Sequence, residues 1–110
     1  MISLNVYLTP KAGKAEELES AIRGRWLKAM VEQPGFLSAA VVKPFPDDEL
    51  AALEATKPQS AYEVVSYWNS EAERVAWTGR PIHNEVWAHV VNASESVTYT
   101  LQTVEQSWNL

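Results

Sequence analysis

"YWNSEAERVAWTGRPIHNEVWAHV", residues 67–90, holds three tryptophans and both histidines of the 110-residue chain. The stretch divides at three points. Tyr67 and Trp68 close the run "YEVVSYW", residues 62–68, which reads as a β-strand. Ser70 and Glu73 then have capping-box spacing, in which each side chain satisfies a free backbone N–H of a helix's first turn. Pro81 breaks the helical ladder, with Gly79-Arg80 as the hinge, and suits the first position of a second helical segment. On the first segment Ala72, Val75, Ala76 and Gly79 share a face. On the second, His83, Val86, Trp87 and Val90 fall at i, i+3, i+4 and i+7.

Outward from that stretch the chain alternates between strand and helix signals. Residues 2–9 place Ile2, Leu4, Val6 and Leu8 on one side and Ser3, Asn5 and Tyr7 on the other. After the turn Pro10-Lys11-Ala12-Gly13, the acids Glu16, Glu17 and Glu19 load the positive end of a helix dipole. That helix runs to about residue 32 with Leu18, Ile22, Trp26, Ala29 and Met30 as its apolar stripe, and Gln33-Pro34-Gly35 stops it. Gly24 in its interior costs about 1 kcal/mol relative to alanine. Two readings of Gly24 stay open, a close approach by sheet or ligand and a tolerated exposed glycine.

Residues 36–43 and 96–104 read as further strands. The connection at residues 44–61 carries a short helix begun by Asp47-Asp48-Glu49 and continued through Leu50 and Leu53. The order strand–helix–strand–strand–helix–strand predicts an α+β, ferredoxin-like βαββαβ domain with a four-stranded antiparallel sheet. One domain, residues 1–110, is expected, with 44–61 an insertion and 105–110 a tail. The second and third strands read as apolar on both faces: Leu37, Ala39 and Val41 against Phe36, Ala40 and Val42, then Val64 and Trp68 against Val65 and Tyr67. A small sheet buried on both faces needs a cover, most simply a second copy of the chain. A homodimer is therefore expected.

Composition narrows the function classes. With net charge −5 and only nine scattered basic residues, the chain lacks the basic stripe that phosphate backbones or anionic membranes require. Neither nucleic acid nor membrane is an expected partner. Cysteine is absent, which excludes disulfides, a thiol nucleophile and thiolate metal sites. The N-terminus has no signal-peptide pattern, so a cytoplasmic location is expected. No phosphate loop, HExxH motif or paired-histidine metal spacing is present. Five tryptophans demand large buried aromatic surfaces in a core, an interface or a pocket.

Several motifs in order resemble the antibiotic biosynthesis monooxygenase (ABM) family of dimeric α+β-barrel proteins. They are Pro10-Lys11-Ala12-Gly13-Lys14 before an acidic helix, "QPGFLSAAV" at residues 33–41, "YWNSEAE" at residues 67–73 and "RPIH" at residues 80–83. The resemblance spans nearly the whole chain apart from the insertion and the tail, and it implies a cavity between sheet and helices. Some members oxidise phenols or anthrones with O₂ and no cofactor, some act on quinols, a related branch degrades haem, and others have no demonstrated chemistry. A deprotonated phenol or anthrone is electron-rich enough to reduce O₂ itself, so the protein need only position it, relay its proton and exclude water.

The haem-degrading branch uses an Asn on the first strand, a Trp in the second helix and a His further along. Asn5 lies near the first position and Trp77, nine residues after Trp68, matches the second. At the histidine position this chain has Trp87, and His89 lies about 200° further around the helix. The resemblance thus implies an oxygenase-like or unassigned member, with a non-catalytic dimeric module binding an apolar metabolite, or haem binding, as the alternatives. His83 is the candidate general base, with a core or surface histidine as the other reading. Asn5 joins it as a catalytic candidate. Trp77 and Trp87 read equally as core or cavity wall, Trp68 as a core or dimer anchor or cavity wall, and Tyr7 as a packing or hydrogen-bonding phenol. Arg23, Arg25 and Arg80 are candidates to hold an anionic substrate, or simply solvated. His89 is expected to be exposed.

Overall fold

The alternation along residues 2–8 sets the two faces of the sheet. The computed structural model describes residues 1–110. Its strands are β1 (Ile2–Pro10), β2 (Phe36–Val42), β3 (Tyr62–Trp68) and β4 (Ser94–Thr103), paired antiparallel in the order β2-β3-β1-β4. Leu4, Val6 and Leu8 of β1 and Tyr62, Val64 and Trp68 of β3 are buried on one face, under the helices. Ser3, Asn5 and Tyr7 point to the other. Helix α1 covers residues 15–30, α2 is Asp47–Ala52, α3 is Glu71–Thr78 and α4 is Pro81–Ala93. The fold is ferredoxin-like, and the slab is 18 Å through its thinnest dimension, one sheet and one helix layer. No helix is long and apolar enough to cross a membrane.

Helix α1 is not uniform. Ala15–Ala21 and Leu27–Met30 are α-helical, but Ile22–Trp26 is a π-helical turn. Its buried residues Leu18, Ile22, Trp26 and Met30 recur every fourth position, and all are at most 2% exposed. On an ideal α-helix each such step overshoots a turn by roughly 40°. The wider π turn takes up that drift and keeps Trp26 facing the sheet. Gly24 sits within this turn with nothing within 4 Å of a Cβ, so of its two readings the exposed, tolerated glycine is correct.

Two local features correct the sequence reading. A bulge between Phe36 and Ser38 brings Phe36 opposite Trp68, while Ala39, Ala40 and Val41 pair with Ser66, Val65 and Val64. Phe36 therefore shares the helix face with Val41, and its ring meets Trp68 edge-on at 5.7 Å. The outer face is also less apolar than expected. Ala40, Val42, Val65 and Tyr67 lie beside Asn5, Tyr7, Glu63, Thr98 and Thr100. Its β1–β4 half is polar, and its β2–β3 half is apolar apart from Ser38 and Glu63.

The face of α3 shared by Ala72, Val75, Ala76 and Gly79 turns outward. Ala72, Val75 and Ala76 are exposed, while Trp77 is buried and Arg74 and Thr78 half-buried. The cap itself forms in part. Glu73 N–H donates to Ser70 Oγ at 3.2 Å, but the Glu73 carboxylate accepts from the Ser70 hydroxyl (2.9 Å) and Asn69 Nδ2 (3.1 Å). These hydrogen bonds, Asn69 first, hold the Glu73 pKa below the ordinary carboxylate value. Pro81 starts α4 as expected, and Val86 and Val90 are buried on its inner stripe.

Candidate functional site

A cavity of about 180 Å³ lies between the helix face of the sheet and the helices. Leu4 and Val6 form its floor, Trp26 and Met30 of α1 one wall, and Arg74, Trp77 and Thr78 of α3 another. His83 and Trp87 of α4 and Tyr99 of β4 complete it. Tyr99 pairs with Val6 across β1–β4 and so projects to the helix side, yet it is 63% exposed. The helices do not roof this edge, and the cavity opens there. A cavity of about 150 Å³ accepts benzene, so this one holds an aromatic ring with the rest of a larger ligand reaching the opening.

The walls form a chain of aromatic contacts. Trp26 and Trp87 approach to 4.9 Å between ring centroids, His83 and Trp87 lie nearly parallel at 6.1 Å, and Trp77 meets His83 edge-on at 5.0 Å. Packing on both sides fixes the imidazole. Its Nδ1 lies 3.4 Å from Asn84 Oδ1, and with Nδ1–H as the donor, Nε2 keeps the lone pair of a base. Burial pushes the His83 pKa below the ordinary histidine value. The Asn84 contact opposes this, and the nearby Arg74 charge adds to it. His83 is thus neutral near neutral pH.

Arg74 supplies the cavity's only formal charge. Its Nε and Nη2 donate to the two carboxylate oxygens of Glu71 at 2.8 and 2.6 Å, a bidentate grip that keeps the guanidinium in place. That hydrogen bonding raises the Arg74 pKa and lowers that of Glu71. Arg74 follows Glu71 by three residues on α3, so both sit on one side of the helix.

The predicted site residues separate into two groups. His83, Trp77 and Trp87 meet in the cavity. Asn5 does not join them. It lies on the outer face, where its Nδ2 donates to Glu63 at 2.9 Å and its Oδ1 is buried without a partner. Strand alternation puts Asn5 and Tyr7 on the side of the sheet opposite Leu4 and Val6, so the pairing of Asn5 with His83 in one site is incorrect. Tyr7 faces a larger groove of about 650 Å³ bounded by Val42, Glu63, Ser96, Thr98 and the connection at Pro58–Ser60. That groove has no histidine and most of its lining residues are polar, whereas the smaller cavity has mainly apolar walls and His83, so the smaller cavity is the stronger site despite its size. Trp68 is fully buried in the core and donates from Nε1 to Ser66 Oγ at 3.2 Å. It does not line the cavity.

Arg80 donates to Gln33 and Arg23 lies 3.7 Å from Glu19, and neither lines the cavity. Arg25 and the exposed His89 border a shallow surface groove with Glu16 and Glu17 instead. Sequence reasoning missed Arg74, Tyr99 and the cavity role of Trp26. Trp77 carried a usable signal: once it marks the inner face of α3, Arg74 at i−3 must share it.

Several solved structures share this architecture. SnoaB, a cofactor-independent oxygenase from Streptomyces nogalater, superposes with a TM-score of 0.74 at 16% identity, covering 99% of this chain and 97% of its own. A dimeric ferredoxin-like protein of unknown function from Jannaschia sp. CCS1 gives 0.71 at 17% identity, with 94% and 98% covered. Rv0793 from Mycobacterium tuberculosis gives 0.72 at 12%, with 96% of each chain covered. At such identities the likeness establishes the fold. No curated protein matches the chain. The profile of the antibiotic biosynthesis monooxygenase family, however, matches residues 1–88, which include every cavity wall except Tyr99. The chain belongs to the antibiotic biosynthesis monooxygenase family.

Proposed function

We propose that this chain is a cofactor-independent monooxygenase that acts with O₂ on a small aromatic phenol, quinol or anthrone. The observation that carries the reading is the neutral imidazole of His83, clamped between Trp77 and Trp87 at the wall of a small aromatic cavity. Family membership and the likeness to SnoaB support the reaction class. In the reaction, Nε2 of His83 takes the phenolic proton and the phenolate supplies electrons to O₂. One oxygen atom becomes a ring carbonyl. The other leaves as water with the displaced ring hydrogen and the phenolic proton, so that phenol plus O₂ gives quinone plus water. The aromatic walls orient the ring and exclude bulk water.

The reading includes a homodimer formed through the outer sheet face, supported by the apolar patch at Ala40, Val42, Val65 and Tyr67 and by the dimeric relative of like fold. A light-scattering mass of one chain at micromolar concentration overturns that part.

The activity test is oxygen uptake by the chelator-treated protein across a panel of phenols and quinols. Uptake that depends on substrate and falls at least about a hundredfold in His83→Gln, the scale of a lost general base, supports the reading. A panel with ligand-induced tryptophan quenching but no uptake leaves a binding module instead.

A further inference from the structure

Arg74 has five N–H groups and the structure uses only two of them, both on Glu71. No hydrogen bond engages its Nη1. Trp26, 2% exposed, lines the same cavity, and its Nε1–H is buried without an acceptor. Buried donors are normally satisfied, and one left open beside a cavity is available to a guest. Apolar walls with spare donors favour a guest that brings an electron-rich oxygen.

The charge balance points the same way. Arg74 and Glu71 sum to zero, but they do not cancel inside the cavity. The Arg74 side chain is 14% exposed and lines it, whereas Glu71 is 48% exposed and lies outside the lining. Water screens the carboxylate more than the guanidinium, so the cavity sees a net positive field.

We propose that Arg74 is the specificity-determining residue of this site, binding aromatic ligands as their oxyanions through its free guanidinium N–H groups. The proposal rests on the reading of the cavity as a phenol site and deepens it by naming the form of ligand that is held. His83 and Arg74 then divide the work. The phenolic O–H bond breaks, its proton passes to Nε2 of His83, and the negative oxygen remains beside Arg74. No oxidation occurs in this step.

The probe is 4-nitrophenol, whose phenol and phenolate absorb at different wavelengths, so that the protonation state of the bound ligand is read without turnover. 4-Nitroanisole, which has no ionisable proton, is the control, and binding is followed by tryptophan quenching. The wild-type protein is expected to lower the pKa of bound 4-nitrophenol by about one unit, a tenfold preference for the phenolate. Arg74→Met removes that preference and leaves 4-nitroanisole affinity within about twofold, and Arg74→Lys restores part of it. Glu71→Gln removes the opposing charge while its amide oxygen keeps one acceptor for the guanidinium, and it strengthens the preference. A bound pKa equal to or above that of the free ligand, or a preference that survives in Arg74→Met, overturns the role of Arg74 while the phenol site stands. Failure of both nitroaromatics to bind overturns the phenol site together with this proposal.

Discussion

The His83 imidazole meets the Trp77 indole edge to face, with ring centroids 5.0 Å apart and planes at 90°. Trp77 is 1% exposed and ends the buried face of α3, while His83 opens α4 just beyond the Gly79-Arg80 junction. The contact therefore locks the angle between two helices as well as the ring. A base held this way needs little reorganisation before it accepts a proton.

The depressed pKa of His83 predicts a pH-dependent stability. Its folded pKa lies below the unfolded value of 6.5, so between the two values the unfolded chain binds more protons. Stability is fully present above about pH 6.5 and falls as the pH drops from there through the folded pKa. Glu71 and Glu73, with lowered pKa values, add their own loss only further down, below their ordinary value of 4.5. Urea denaturation between about pH 7.5 and pH 5 should give a decline that His83→Gln flattens. An identical slope in the variant would exclude His83 as its source.

Trp68 and Trp87 should respond in opposite ways to the same change. Trp68→Phe removes the Nε1 hydrogen bond to Ser66 and part of a fully buried ring, so it should cost about 1–3 kcal/mol. It should leave 4-nitroanisole affinity unaltered, because Trp68 does not line the cavity. Trp87→Phe should cost less, since Trp87 is only half-buried, but weaken the ligand about tenfold by opening the contact with Trp26. Equal effects on both properties in both variants would mean that core and site cannot be separated.

Much of the fold was legible because it follows from short-range rules. The alternation in β1, the capping pair at Ser70 and Glu73 and the break at Pro81 each report on a few neighbouring residues, and the four strands appear within two residues of their expected ends while α3 and α4 start where expected, counting Ser70 as the cap of α3. The site was half legible. The α4 stripe placed His83 and Trp87 correctly because their spacing is local. Asn5 failed because its candidacy came from family resemblance, whereas its own alternation with Leu4 and Val6 had already put it on the other face. Arg74 was missed because α3 is amphipathic in the wrong sense. Its small apolar residues face out, and an arginine faces in, where Glu71 neutralises it. The bulge at Phe36 leaves no simple periodic trace, whereas the four-residue spacing of Leu18, Ile22, Trp26 and Met30 was an unread trace of the π turn.

Gly35 is a position where only glycine fits. Its φ is +87°, and an added Cβ would lie 2.5 Å from the Glu73 side chain. Its carbonyl also accepts from Asn69 N–H at 2.7 Å, tying the end of α1 to the start of α3. Gly35→Ala should therefore lose about 1–3 kcal/mol and disturb the Asn69–Glu73–Ser70 hydrogen bonds. Loss of less than about 0.5 kcal/mol in urea denaturation would show that this junction yields freely.

The two cavities can be told apart by filling each in turn. Leu4 lines the inner one under the helices, and Thr98 lines the larger groove on the outer face. Leu4→Phe places a ring where the ligand should sit, at a cost of about 1–3 kcal/mol for overpacking. It should weaken 4-nitroanisole at least about tenfold, as expected when a small pocket loses one ring's volume. Thr98→Trp crowds the exposed outer groove and should leave that affinity unchanged. If the chain dimerises through this face, Thr98→Trp should instead raise the dimer dissociation constant. The reverse pattern, with binding kept in Leu4→Phe and lost in Thr98→Trp, would move the site to the outer face beside Tyr7 and Glu63. His83 would then be too far across the sheet to serve as its base.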